Sequence, residues 1–143
     1  LLKKRSQLYM VIKRTRREAR QYAFQMLYAN EFHSDKNDVQ FPEGHIQKAM
    51  DKAYANSIIQ GVIATAEKID ADLQPFCKSR KVANLDKVDR AILRIAVWEM
   101  TNEVEPLEPS IAINEAIQLA KEFGSDASYK LINAILDAYN KSK

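Results

Sequence analysis

The sequence predicts an all-α protein, and three observations lead there. Apolar residues recur at intervals of three and four along most of the chain, the spacing that lines one face of a helix. Only three Gly and four Pro occur in 143 residues, too few for a turn-dense β architecture. No window keeps the alternating pattern of a half-buried strand.

The elements follow in order. From about Arg14 to Asn30, the residues Ala19, Tyr22, Ala23, Met26 and Leu27 form one apolar stripe and predict the first helix. Ser34, Asp35, Asn37, Asp38, Pro42 and Gly44 then break the pattern and predict a connecting loop with room for a short helical turn. Ile46, Ala49, Met50, Ala53, Ile58, Val62, Ala66, Ile69 and Leu73 predict a long helix to about Gln74, ended by Pro75. Gly61 weakens its middle, and such a Gly marks the close approach of a neighbouring helix. The basic segment from Lys78 to Asn84 is the best boundary between two halves. A strongly apolar stretch from Asp86 to about Asn102 predicts a central buried helix, ended by Pro106 and Pro109. Ser110 is expected to cap the next helix, which carries Ile113, Ala116, Ile117 and Ala120, and Gly124 to end it in a left-handed conformation. Ser125 or Asp126 is expected to cap a last helix with Ile132, Ile135, Leu136 and Tyr139.

Several classes of chemistry are excluded. One cysteine, Cys77, cannot form an internal disulfide, and with His33 and His45 it cannot complete a common zinc ligand set. Three scattered glycines build no phosphate-cradling loop, so no cofactor is expected. Cys77 lacks the setting of a thiolate nucleophile, and an incidental thiol is the expectation. No segment approaches the roughly 18 to 20 apolar residues that cross a bilayer, and no signal core follows a charged start. The expected location is the reducing cytoplasm. Glu99 falls on the buried face of the central helix; of a general acid and a buried hydrogen-bond acceptor, the second is expected.

Charge is uneven. Residues 1–20 hold eight basic side chains against Glu18 alone, whereas the rest carries 14 basic and 18 acidic, within a net charge of +3. Such an arm meets a polyanion or stays a solvated, partly disordered tail. Met10 is a plausible start, so Lys3, Lys4 and Arg5 carry little functional weight. On a helical wheel with Arg16 at zero, Arg20, Lys13 and Arg17 fall at about 40°, 60° and 100°, and Phe24 and Tyr28 at about 80° and 120°. The apolar stripe occupies about 240° to 340°, with Leu27 at its edge near 20°. Basic residues therefore share a face with two aromatics, a combination that pairs phosphates and stacks unpaired bases. Packing of both rings on protein is the alternative.

The run Arg16-Arg17-Glu18-Ala19-Arg20 with Ala23, Gln25, Leu27 and Tyr28, then Val88 to Ala96 with Glu99, then Ala112 to Ile117, Leu119-Ala120-Lys121 and Phe123-Gly124, and finally Lys130, Asn133, Leu136 and Asp137, resembles the NusB family of bacterial transcription antitermination factors. The resemblance covers Arg14 to about Tyr139. It implies a non-enzymatic, RNA-binding protein of about seven helices in two small packed bundles, residues 14–143, with subdomains of about 14–80 and 84–141 behind a basic extension over residues 1–13. It further implies binding of boxA RNA in nascent ribosomal RNA leaders together with the ribosomal protein NusE, within an elongation complex on RNA polymerase that suppresses termination. By matching position, Arg16, Arg17, Arg20, Tyr28, Asp89 and Lys130 are expected RNA contacts. Phe24 joins them as a ring that could replace one missing elsewhere. The chain departs from well-known members at Ala127, where they are acidic, at Leu131, where they are aromatic, and at Ala134, where they have Gly. A helical protein-interaction adaptor and an accessory RNA-binding domain of a ribosomal RNA methyltransferase remain the alternatives.

Overall fold

Five α-helices account for most of the described residues, which in this computed structural model are 2–31 and 50–143: α1 (Leu2–Asn30), α2 (Lys52–Leu73), α3 (Lys87–Thr101), α4 (Pro109–Phe123) and α5 (Ser128–Lys141). Single 3-10 turns at Gln74–Phe76 and Val82–Asn84 join α2 to α3, and there is no strand among the described residues. Five α-helices are thus seen where the resemblance implied about seven. The expected loop at Ser34 to Gly44, both histidines, and Ile46 and Ala49 of the second helix lie outside the described residues.

The chain divides into two compact units, residues 1–59 and 60–143, with the division falling within α2. In the first unit, α1 starts at Leu2 and not near Arg14, so the basic extension continues the same helix. Residues 4–14 are exposed, and the expected stripe of Ala19, Tyr22, Ala23, Met26 and Leu27 is buried. Asp51 begins α2: its Oδ1 accepts from Tyr54 N at 3.0 Å, and its own N–H donates to the Thr15 carbonyl of α1 at 3.3 Å. The start of α2 is thereby tied to the arginine-bearing turn of α1. Ala53 faces solvent and Tyr54 and Ala55 are buried in its place.

In the second unit α3 packs on both α4 and α5, which also pack on each other. Ile92, Leu93, Ile95 and Val97 of α3 meet a core that includes Leu119, Ile132 and Leu136; each such side chain contributes about 1.5 to 3 kcal/mol by leaving water. Asp86 caps α3, accepting from Val88 N at 2.9 Å and Asp89 N at 3.4 Å. Asn102 ends it well before Pro106, its amide donating to the Glu99 carbonyl at 3.0 Å and its Oδ1 accepting from Glu105 N at 2.8 Å. Glu99 is 1 % exposed, as the wheel requires. Arg94 of α3 grips Asp70 of α2 with two bonds, Nε to Oδ1 at 2.9 Å and Nη2 to Oδ2 at 2.6 Å.

Gly61 does mark a close approach: a Cβ there would lie 1.9 Å from Trp98 Nε1 and 2.2 Å from Cε2. Three capping expectations are corrected. Glu108 precedes α4, with Pro109 in its first turn and no side-chain cap, so Ser110 lies inside the helix. Ala127 precedes α5 without a side-chain cap, because Ser125 closes the preceding turn, its N–H donating to Ser128 Oγ at 2.9 Å and its carbonyl accepting from Ser128 N at 3.0 Å. Gly124 is extended, with φ −92 and ψ −179, and its small size serves that turn, since a Cβ would meet Ser128 Oγ at 2.6 Å.

Candidate nucleic-acid interface

The basic face of α1 is built against α2. Arg16 lies with its guanidinium 4.6 Å from the Tyr54 ring centroid and its Nε 3.9 Å from Asp51 Oδ2. Arg20 lies over the same ring at 5.6 Å. Tyr54 thus gathers the two arginines a turn apart, and Asp51 anchors the ring's helix to α1 at the same place. Arg16 and Arg17 are half-buried, and Lys13 and Arg14 are exposed.

The wheel drew the buried arc too narrow. Arg20, expected on the exposed face, is 4 % exposed, and Phe24 is 3 % exposed and part of the core. Both sit close to Leu27 on the wheel, so α1 is enclosed over about half its circumference rather than along one stripe. Tyr28 remains half-buried, stacked on Phe24 with centroids 5.9 Å apart and planes 17° from parallel. Phe24 therefore supports the Tyr28 ring from beneath.

The other two expected contacts belong to the second unit. Asp89, in the first turn of α3, is 6 % exposed. Burial pushes its carboxyl above the ordinary carboxylate range; a hydrogen bond from Ser128 of α5 opposes that shift, and the nearby charge of Asp86 adds to it. Lys130 is exposed on α5. Its Nζ lies 5.9 Å from the Tyr129 ring centroid, and Lys121 Nζ of α4 lies 5.5 Å from the same centroid. Leu131 is 42 % exposed, and with Ala127, Ala134, Phe76, Lys78 and Arg80 it lines an apolar groove with basic side chains among its walls.

Sequence reasoning missed Asp51, Tyr54, Lys121 and Tyr129. A helix expected to run unbroken from Ile46 hid the Asp51 cap, although Asp three residues before Tyr54 is a helix-start signal. Tyr129 stands next to Lys130 in the chain, but its meeting with Lys121 depends on how α4 and α5 pack. Burial pushes the Cys77 thiol up, with the charge of Asp70 adding to the effect, which suits an unreactive thiol. Among the described residues no cluster of three His, Cys, Asp or Glu could hold a metal, and no helix is long and apolar enough to cross a membrane.

Comparison with known proteins fits this geometry. The NusB family model matches residues 17–141. The transcription antitermination proteins NusB of Yersinia pestis (strain Pestoides F) and Yersinia pseudotuberculosis serotype O:1b are each 40% identical over 127 residues, covering 85% of this chain and 89% of theirs. The structure of T. maritima NusB superposes with a TM-score of 0.75 at 29% identity, over 87% of this chain and 89% of that one. A structure of the antitermination factors NusB and NusE in complex with dsRNA shares the fold, with a TM-score of 0.73 at 23% identity over 91% and 98% of the two chains. With the family model spanning nearly its whole length and curated relatives at this identity, the chain belongs to the NusB family.

Proposed function

We propose that this protein is a non-enzymatic transcription antitermination factor of the bacterial cytoplasm, binding single-stranded boxA RNA of nascent ribosomal RNA leaders together with the ribosomal protein NusE, as part of an elongation complex on RNA polymerase. The observation that carries this reading is the family match over residues 17–141, which takes in Arg17 and Tyr28 on the face of α1 that Arg16, one residue ahead of the match, also shares. In this reading Arg16 and Arg17 hold phosphates, Tyr28 stacks on a base, and Lys130 adds a contact from α5. Arg20 and Phe24 lie behind the α1 face and act by holding it in place, and Asp89 acts within its own unit by holding the start of α5 through Ser128. Guanidinium groups suit the role because each offers several donors in a fork that matches phosphate oxygens.

The test is an electrophoretic shift with boxA RNA, with and without NusE, at several salt concentrations. Binding should weaken linearly in log–log form as salt rises, and replacing Arg16 and Arg17 together by Ala should flatten the slope by about 1.4, roughly 0.7 for each single-strand phosphate contact. Absence of a shift in either condition would overturn the reading and favour a protein-interaction adaptor.

A further inference from the structure

We propose that Tyr129, with Lys121 and Lys130, is a further RNA-contact site of this chain, taking one nucleobase of a single strand on its ring and the adjoining phosphates on the two ammonium groups. The proposal rests on the RNA-binding reading above and extends it from Lys130, already an expected contact, to Tyr129 and Lys121, which no expectation from the sequence included.

Three features support it. The two ammonium groups come from different helices, Lys121 from the last turn of α4 and Lys130 from the first turn of α5, yet both end within 6 Å of one ring, at 5.5 and 5.9 Å. Among the described residues neither lysine has an acidic partner. Two like charges drawn to one ring repel each other, and an anion placed between them removes that repulsion. The ring itself is half-buried beside exposed lysines, so its orientation is constrained while part of it stays accessible.

The support beneath the site is rigid. Ser128, adjacent to Tyr129, is buried, receives a hydrogen bond from Ser125 N at 2.9 Å and bonds the carboxyl of Asp89 on α3. Gly124 lets the α4–α5 turn close against Ser128, where any side chain would collide. An acidic peptide would satisfy the lysines and leave the ring without a role. A nucleotide uses all three groups, since every base has a face that stacks on an aromatic ring. The exchange is favourable because an exposed cation–π contact is weaker than base stacking, and the displaced ammonium gains a phosphate.

Fluorescence anisotropy of labelled single-stranded boxA RNA, titrated with the full chain at several salt concentrations, tests the site. Tyr129→Ala should weaken binding about five- to 150-fold, and Tyr129→Phe should keep most of the affinity. Lys121→Gln, with an unchanged melting temperature, should flatten the salt slope by about 0.7. Parent-like affinity and slope in Tyr129→Ala and Lys121→Gln, with the salt slope still flattened in the Arg16 and Arg17 variant, would overturn the site and leave the RNA-binding reading standing. No binding by the parent would overturn both. If the same variants weaken capture of NusE and leave RNA affinity intact, the surface serves a protein and the proposal fails.

Discussion

Adding one methyl group at Gly61 should lower the stability of the second unit by about 2 kcal/mol. The new Cβ would sit 1.9 Å from Trp98 Nε1, 2.2 Å from Cε2 and 2.7 Å from Cζ2. Ordinary contact between such atoms is about 3.5 Å, so the indole must retreat by roughly 1.5 Å or α2 must bow away from α3. Overpacking of this kind costs about 1 to 3 kcal/mol, with the upper end expected for a clash against a rigid ring. Opposing it, Ala is favoured over Gly inside a helix by about 1 kcal/mol. The net loss corresponds to a fall in melting temperature of roughly 6 to 10 °C for a chain of this size. Trp98 is the only tryptophan, so its emission reports directly on displacement of the ring. In a Trp98→Leu background the clash is gone and only helix propensity remains. There the same Gly61→Ala change should stabilise, by up to about 1 kcal/mol. The sign reversal is the decisive result. A Gly61→Ala protein that melts at or above the parent temperature, with unaltered tryptophan emission, would refute the reasoning.

Other predictions concern Phe24, Tyr28 and Asp89. Phe24→Ala should cost about 3 to 5 kcal/mol in chemical denaturation, because the ring is a core residue. Tyr28→Ala should cost less stability and weaken RNA binding by about 1 to 3 kcal/mol, with Tyr28→Phe close to the parent; equal stability losses at the two positions would contradict their assigned surroundings. Asp89 should make stability fall as pH rises. Its carboxyl is held above the ordinary range by burial, so between the unfolded value near 3.9 and the raised native value the folded chain binds more protons than the unfolded one. Stability is then greatest with Asp89 protonated and declines as pH climbs through the native value. Asp89→Asn should raise the melting temperature most at pH 7, the difference shrinking toward pH 4. Parallel curves for the two proteins would rule this out.

Much of the fold was legible because burial on helices is periodic. Tyr22, Met26, Ile58, Val62, Ile69, Ile92, Ile132 and Leu136 were all assigned to the interior from spacing alone, and all are buried. Gly61 was legible for a related reason, since a Gly within a helical pattern costs stability that close packing must offset. Helix ends were less so. Ser110, Ser125 and Asp126 are all suitable caps by residue type, and the choice among neighbouring candidates depends on where the chain turns in space. The candidate surface was half legible. Arg16, Arg17 and Tyr28 could be placed on one side of α1, but nothing local told that Tyr54 would receive Arg20, or that α1 would be enclosed as far round as Phe24. Cation–π contacts such as Lys121 with Tyr129 join residues from separate helices, so spacing along the chain carries no trace of them.

The paired bonds between Asp70 and Arg94 constrain how relatives of this protein are free to drift. A guanidinium donating from two nitrogens to both oxygens of one carboxylate has no equivalent in lysine, which offers a single charged centre. Glutamate at position 70 would push the carboxylate one methylene further and spoil the fork. A lone change at either place therefore leaves a partly buried charge without its mate, and the next generation inherits a less stable α2–α3 contact. Such positions escape only by changing together, through an intermediate that is tolerated long enough to be rescued. Across an alignment they should appear as a correlated pair, conserved as Asp with Arg or replaced jointly by an uncharged couple of similar volume.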